Sequence, residues 1–89
     1  MTFSFEQAKV LAEKTVGALG AASGDEFDIV SHETVEAKGW IFFYNSKEFV
    51  ETGNPSSALA GNGPIFVDRN GVLKVLPTAV PWEVAIRET

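Results

Sequence analysis

The sequence predicts an α+β fold, with an N-terminal helix and a short C-terminal helix packed on a four-stranded antiparallel sheet in the order α-β-β-β-β-α. Three observations carry that prediction. Ala8, Leu11, Ala12, Thr15, Val16 and Leu19 recur at three- and four-residue spacing, the stripe of an amphipathic helix. Trp40-Ile-Phe-Phe-Tyr44, bounded by Gly39 and Asn45, is too short and too aromatic for a helix and reads as a strand buried on both faces. Two further apolar runs flank Arg69-Asn70-Gly71, the signal of a tight hairpin.

Each element follows in order. The first helix spans residue 4 to about residue 20. Ser4 followed by Gln7 forms a capping box, Glu6 in the first turn suits the helix dipole, and Gly20 is the expected terminator. Phe27 to Ala37 reads as the first strand. Phe27, Ile29, Val35 and Ala37 share one parity and Asp28, His32, Thr34 and Glu36 the other, but Ser31 and Glu33 fall on the apolar side. A bulge near Ser31 accounts for the slip. Trp40 to Asn45 is the central strand, with Trp40, Phe42 and Tyr44 on one face and Ile41 and Phe43 on the other.

Ser46 to Gly63 reads as a long connection, in which Phe49 and Val50 tuck against the core and residues 57–60 make a single helical turn. Gly61-Asn62-Gly63 allows positive φ before Pro64, which opens the third strand, Ile65 to Asp68. Val72 to Leu76 is the fourth strand. Pro81 starts the final helix, Trp82 to Glu88, with Trp82, Ala85 and Ile86 on its buried side.

Composition narrows the function. The 89 residues are the size of one domain, 1–89, which buries roughly 60 to 65% of its unfolded surface on folding. Twelve acids against seven bases give a net charge of −5, a poor footprint for nucleic acid and a good one for a basic protein partner. Cysteine is absent, which removes disulfides and thiolate metal sites. No stretch has the ~18 apolar residues of a membrane span, and residues 1–9 lack the pattern of a signal peptide, so a cytoplasmic protein without membrane contact is expected.

No motif supplies chemistry. His32 has no companions at metal-ligand spacing. No Gly-x-Ser-x-Gly elbow occurs, and Gly61-Asn62-Gly63-Pro64 lacks the Lys-Ser/Thr of a phosphate loop. Asp68-Arg69-Asn70-Gly71 begins like a calcium loop, but no Glu closes the pattern. No catalytic residue, metal or cofactor is therefore expected. The acidic run Asp25, Glu26, Asp28, Glu33 and Glu36 reads in two ways. It is a face that steers a cationic partner, or a solvated face that keeps the domain soluble and discourages edge pairing.

Gly39-Trp40, Phe42-x-Tyr44-Asn45-Ser46, Glu51-Thr52-Gly53, Leu59-Ala60-Gly61-Asn62-Gly63-Pro64-Ile65, Val67-Asp68, Gly71 and Thr78-Ala79 together resemble the immunity protein 35 family, also described as YrhB-like. The resemblance covers roughly residues 5 to 88. Phe49 stands where the family pattern has a tyrosine, and Pro77 where it has a glycine. The resemblance implies a small bacterial cytoplasmic protein encoded beside a polymorphic toxin, which binds and neutralises that cognate toxin and carries no catalytic motif. The expected mechanism is occlusion of the toxin's active site or substrate groove. Asp28, Glu33 and Glu36 would pair with toxin Lys and Arg, and His32 lies among them. Asn45, Ser46, Glu48, Glu51 and Asn62 would supply hydrogen bonds. The alternative is a chaperone-like holdase or stability factor, a behaviour described for one branch, which requires an exposed apolar patch. The protein is expected as a monomer or as a homodimer paired through an uncovered edge strand.

Overall fold

The computed structural model describes residues 2–35, 37–57, 63–77 and 81–88. The order of elements is α1 (Phe5–Ser23), β1 (Phe27–Val35), β2 (Gly39–Ser46), α2 (Lys47–Thr52), a 3-10 turn (Pro55–Ser57), β3 (Ile65–Asp68), β4 (Leu73–Val75), α3 (Trp82–Ala85) and a final 3-10 turn (Ile86–Glu88). The four strands form an antiparallel meander in the order β1-β2-β3-β4, with helices on both faces. The α+β prediction holds, with one helix added.

α1 begins as its sequence dictates. Ser4 Oγ accepts from Gln7 N–H at 3.2 Å, and Gln7 Oε1 accepts from Ser4 N–H at 2.8 Å, closing the capping box. The helix runs past the expected stop. Ala21, Ala22 and Ser23 continue it, and Gly24 at φ 71° is the left-handed cap. Gly20 has a different task. It is buried, and a Cβ there would lie 2.9 Å from the Asp25 carbonyl oxygen, so the glycine lets the chain fold back tightly into β1. Ala8, Ala12, Val16 and Gly20 form the buried stripe, and these small side chains bring α1 close to the sheet.

The face under α1 is the larger core. Ala8, Ala12 and Val16 pack on Trp40, Phe42, Tyr44, Ile65 and Val67, with Phe3, Phe5, Leu11, Leu19, Phe27, Ile29 and Leu73 around them. The opposite face is smaller. There Ala85 and Ile86 cover Ile41, Phe66 and Leu76, with Val35, Phe43 and Trp82 half-buried at the margin. β2 is buried on both faces, as its aromatic run requires.

Several connections differ from expectation. The segment after β2 is not all loop. Ser46 caps a helix of its own, α2, and Gly53 ends it at φ 69°. Residues 58–62, which include part of the expected helical turn, Gly61 and Asn62, lie outside the described residues, as do 78–80. Gly63 is needed for space, not for positive φ. A Cβ there would collide with the Leu76 carbonyl oxygen where the Leu76 N–H bonds to Pro64 O at 2.8 Å. In the β3–β4 turn Gly71 has the positive φ, 85°, and Asn70 does not share it. Asp68 Oδ1 accepts from the N–H groups of Asn70 and Val72 at 2.8 and 2.9 Å, so the carboxylate shapes a three-residue loop. The N-terminal segment is pinned to this hairpin: Phe3 N–H donates to Arg69 O at 2.7 Å, and the Phe3 ring lies over Gly71.

Candidate functional site

β1 is an edge strand, and it carries Asp28, His32 and Glu33 of the expected contacts. The pairing with β2 decides which of them share a face. Ile29 pairs with Tyr44 and Ser31 with Phe43, so Val30 is the extra residue of a bulge, one position before the one expected. The bulge reverses the parity of the strand. Before it, Phe27 and Ile29 face α1; after it, Val35 packs on the α3 side. Two residues of opposite parity in sequence are thereby brought to one face. Asp28 is registered with Asn45 and Glu33 with Ile41, both on the side of α3, and Ser31 stands between them opposite Phe43.

His32 goes the other way. It is registered with Phe42 on the α1 side, and its ring centroid is 4.6 Å from that of Phe5 and 6.2 Å from that of Phe42. It is an exposed lid on the aromatic cluster at the start of α1, apart from the Asp28–Glu33 face. Glu36 and Asn62 lie outside the described residues.

On the α3 side the acids border an aromatic pair. Phe43 and Trp82 are both half-buried, with ring centroids 6.4 Å apart in an edge-on arrangement. Because α3 is short and centred over β2 and β3, it leaves Ser31 and Glu33 of β1 exposed beside Phe43. The resulting surface has an aromatic centre and an acidic rim, the anatomy of a protein-binding patch. Sequence reasoning assigned Phe43 and Trp82 wholly to the core. The signal that would have found them is the brevity of the last helix, which is too short to cover a strand pair and an edge.

The contacts expected beyond β2 separate into two kinds. Ser46 is 2% exposed, and its Oγ accepts from Phe49 N–H at 3.1 Å, so the hydroxyl holds α2 in place. Asn45 is half-buried, and its Oδ1 accepts from Ser46 N–H at 2.8 Å. Glu48 and Glu51 are exposed on α2, and Val50 of that helix lines a cavity with Lys9, Glu13, Val16, Phe27, Asp28 and Ile29, so Asp28 at the sheet edge also borders the α1 side. Lys47 and Glu26 form an exposed ion pair at 3.6 Å at the junction, a contact worth well under about 1 kcal/mol. Among the described residues no cluster of His, Asp and Glu is arranged to hold a metal ion, and no helix is long and apolar enough to cross a membrane.

The chain is 38% identical over 53 residues to an uncharacterized protein, YrhB, of Escherichia coli, an alignment spanning 58% of this chain and 56% of that protein. No solved structure matches it. The family model of immunity protein 35 matches residues 13–88, from the middle of α1 to the end of the final turn, and the chain therefore belongs to the immunity protein 35 family.

Proposed function

We propose that this protein neutralises a cognate toxin by binding it directly, with no chemistry of its own, and that the face of β1 beside α3 is the surface that covers the toxin's active site or substrate groove. Family membership supports the role. The observation that carries the surface is the bulge at Val30, which gathers Asp28 and Glu33 on one side of an open edge strand next to the half-buried Phe43 and Trp82. The partner's matching surface is basic. Phe43 and Trp82 anchor the complex, and the acids raise the association rate. The protein acts in the cytoplasm as a monomer or as a homodimer paired through β1, in which case dimerisation and toxin binding compete for one edge.

The exposed valines, Val10, Val30, Val50, Val72, Val75 and Val84, are spread over both faces and several elements, which favours a dedicated partner over a chaperone-like surface. The test is capture of the toxin encoded beside this gene, followed by association kinetics at low and high salt. Reversing Asp28 and Glu33 together to lysine slows association about tenfold or more at low salt and leaves the melting temperature in place. Unaltered kinetics in that variant would remove β1 from the interface.

A further inference from the structure

The sheet has a second edge, β4, and its hydrogen bonds assign each main-chain group of that strand to a side. Asp68 N–H donates to Val72 O at 3.0 Å and Leu76 N–H donates to Pro64 O at 2.8 Å, with Lys74 registered opposite Phe66 between them. In an antiparallel ladder alternate residues bond the same neighbour. Val72, Lys74 and Leu76 therefore face β3, and the N–H and C=O groups of Leu73 and Val75 point away from the sheet. Among the described residues no strand lies beyond β4 to pair with them. Unlike β1, β4 keeps a regular register with no bulge.

The side chains along this edge alternate in character. Leu73 and Val75 are registered opposite Val67 and Ile65 of the α1 core, so they stand on the α1 side, and Lys74 stands opposite Phe66 on the α3 side. Leu73 packs on the core margin that Phe3 and Leu11 share, and those two also line a groove of about 400 Å³ with Glu6, Gln7, Val10 and Lys14. Val75 is apolar yet 53% exposed. Lys74 is exposed and makes no ion pair among the described residues, whereas Lys47 does. Asp68, on the same side of the sheet, gives its Oδ1 to the N–H groups of Asn70 and Val72.

The charge of Lys74 decides what can pair here. For a second copy to use the outward groups of both residues, Leu73 must lie opposite Val75 of that copy. This register sets Lys74 directly against Lys74, between chains that each carry −5. A strand with a carboxylate at that position meets opposite charge instead. We propose that β4 is the acceptor edge for an extended segment of a protein partner, which adds as a fifth, antiparallel strand. Its main chain bonds Leu73 and Val75, two apolar side chains lie beside theirs on the α1 side, and an acidic side chain lies beside Lys74 on the α3 side. The site is at the far edge from the toxin-facing surface and does not rest on that reading.

The experiment is an NMR titration of the full chain with the acetylated, amidated peptide Thr-Thr-Val-Glu-Val-Thr-Thr and with the same peptide carrying Lys in place of Glu. Backbone amide shifts and hydrogen exchange are the readouts. Saturable changes centred on the N–H groups of Leu73 and Val75, which gain protection, are the expected result, with the Glu peptide bound about 3- to 10-fold tighter than the Lys peptide. Lys74→Glu, a change at an exposed side chain, reverses that preference. Val75→Pro removes one outward donor, leaves the bonds to β3 in place, and weakens the Glu peptide at least about fivefold. If Val75→Pro does not fold, the charge reversal decides alone. Changes centred on β1, no saturable change, or equal affinity for the two peptides overturns the proposal. Protection of Leu73 and Val75 that rises with protein concentration in the absence of peptide also overturns it, because a second copy is then the occupant.

Discussion

The two faces of the sheet differ in how completely they are covered. On the α1 side a long helix with a stripe of small residues closes over Trp40, Phe42 and Tyr44, and aromatic side chains from Phe3, Phe5 and Phe27 seal the margins. On the α3 side a four-residue helix and a 3-10 turn cover Ile41 and Phe66 and stop short of β1. The larger core lies under one face, and the other keeps its edge open. A domain this small has little surplus stability to lose, so concentrating the core under α1 leaves the α3 side free to carry half-buried aromatics and exposed acids.

The sharpest test of that difference is a pair of neighbouring truncations. Phe42 is fully buried under α1, and Phe42→Ala costs about 3–5 kcal/mol, enough to unfold much of the population. Phe43, adjacent in sequence and half-buried on the other side, costs less than half of that, and its loss is read in partner affinity instead. Urea titration of both variants measures the stability. Equal losses for the two would mean that the faces are equally structural.

Deleting Val30 attacks the device that sorts the faces. Without the bulge, Phe27 and Ile29 are forced off the α1 core or the acids are dispersed, because a one-residue shift moves every side chain across the strand. The expected loss is about 2–4 kcal/mol from the two half-buried side chains, together with loss of the Asp28–Glu33 face. Retention of both native stability and fast partner association in the deletion would show that the bulge does not organise the surface.

How much of this was legible in the sequence follows from which forces act locally. The capping box of Ser4 and Gln7, the aromatic strand and the β3–β4 hairpin depend on neighbours within a few residues, and each forms where the pattern placed it. The bulge also left a trace, because Ser31 and Glu33 broke the alternation. What stayed hidden depends on distant partners. Gly63 reads as a flexible turn residue until the Leu76 carbonyl is seen against it. Ser46 read as a surface hydrogen-bonding group because serine is usually exposed, and it is buried because α2 starts where a loop was expected. For the surface itself the sequence supplied the charge of β1, whereas the choice of Asp28 and Glu33 together, with His32 on the far side, required the register.

Ser46 gives the next smaller effect. Ser46→Ala removes the acceptor for Phe49 N–H and a buried hydroxyl, with an expected cost of about 1–2 kcal/mol. Because the residue supports α2, the change increases hydrogen exchange at residues 47–52 before it affects α1. If α2 keeps its protection in this variant, the cap is not what holds it.

The smallest effect has the opposite sign. Ala37, in the turn that joins β1 to β2, is the one non-glycine residue with positive φ among those described, at 64°. A left-handed alanine costs about 1–2 kcal/mol relative to the ordinary helical basin, whereas glycine reaches that conformation freely. Glycine also enlarges the unfolded ensemble, which returns part of the gain. Ala37→Gly is therefore expected to raise stability by about 0.5–1 kcal/mol, a shift of several degrees in melting temperature for a chain of this length. The turn belongs to neither covered face, so the gain should leave association with the partner unaltered. That separation makes the variant informative: a change in association rate accompanying the added stability would show that strain in this turn is coupled to the surface of β1, and that the two faces are not independent.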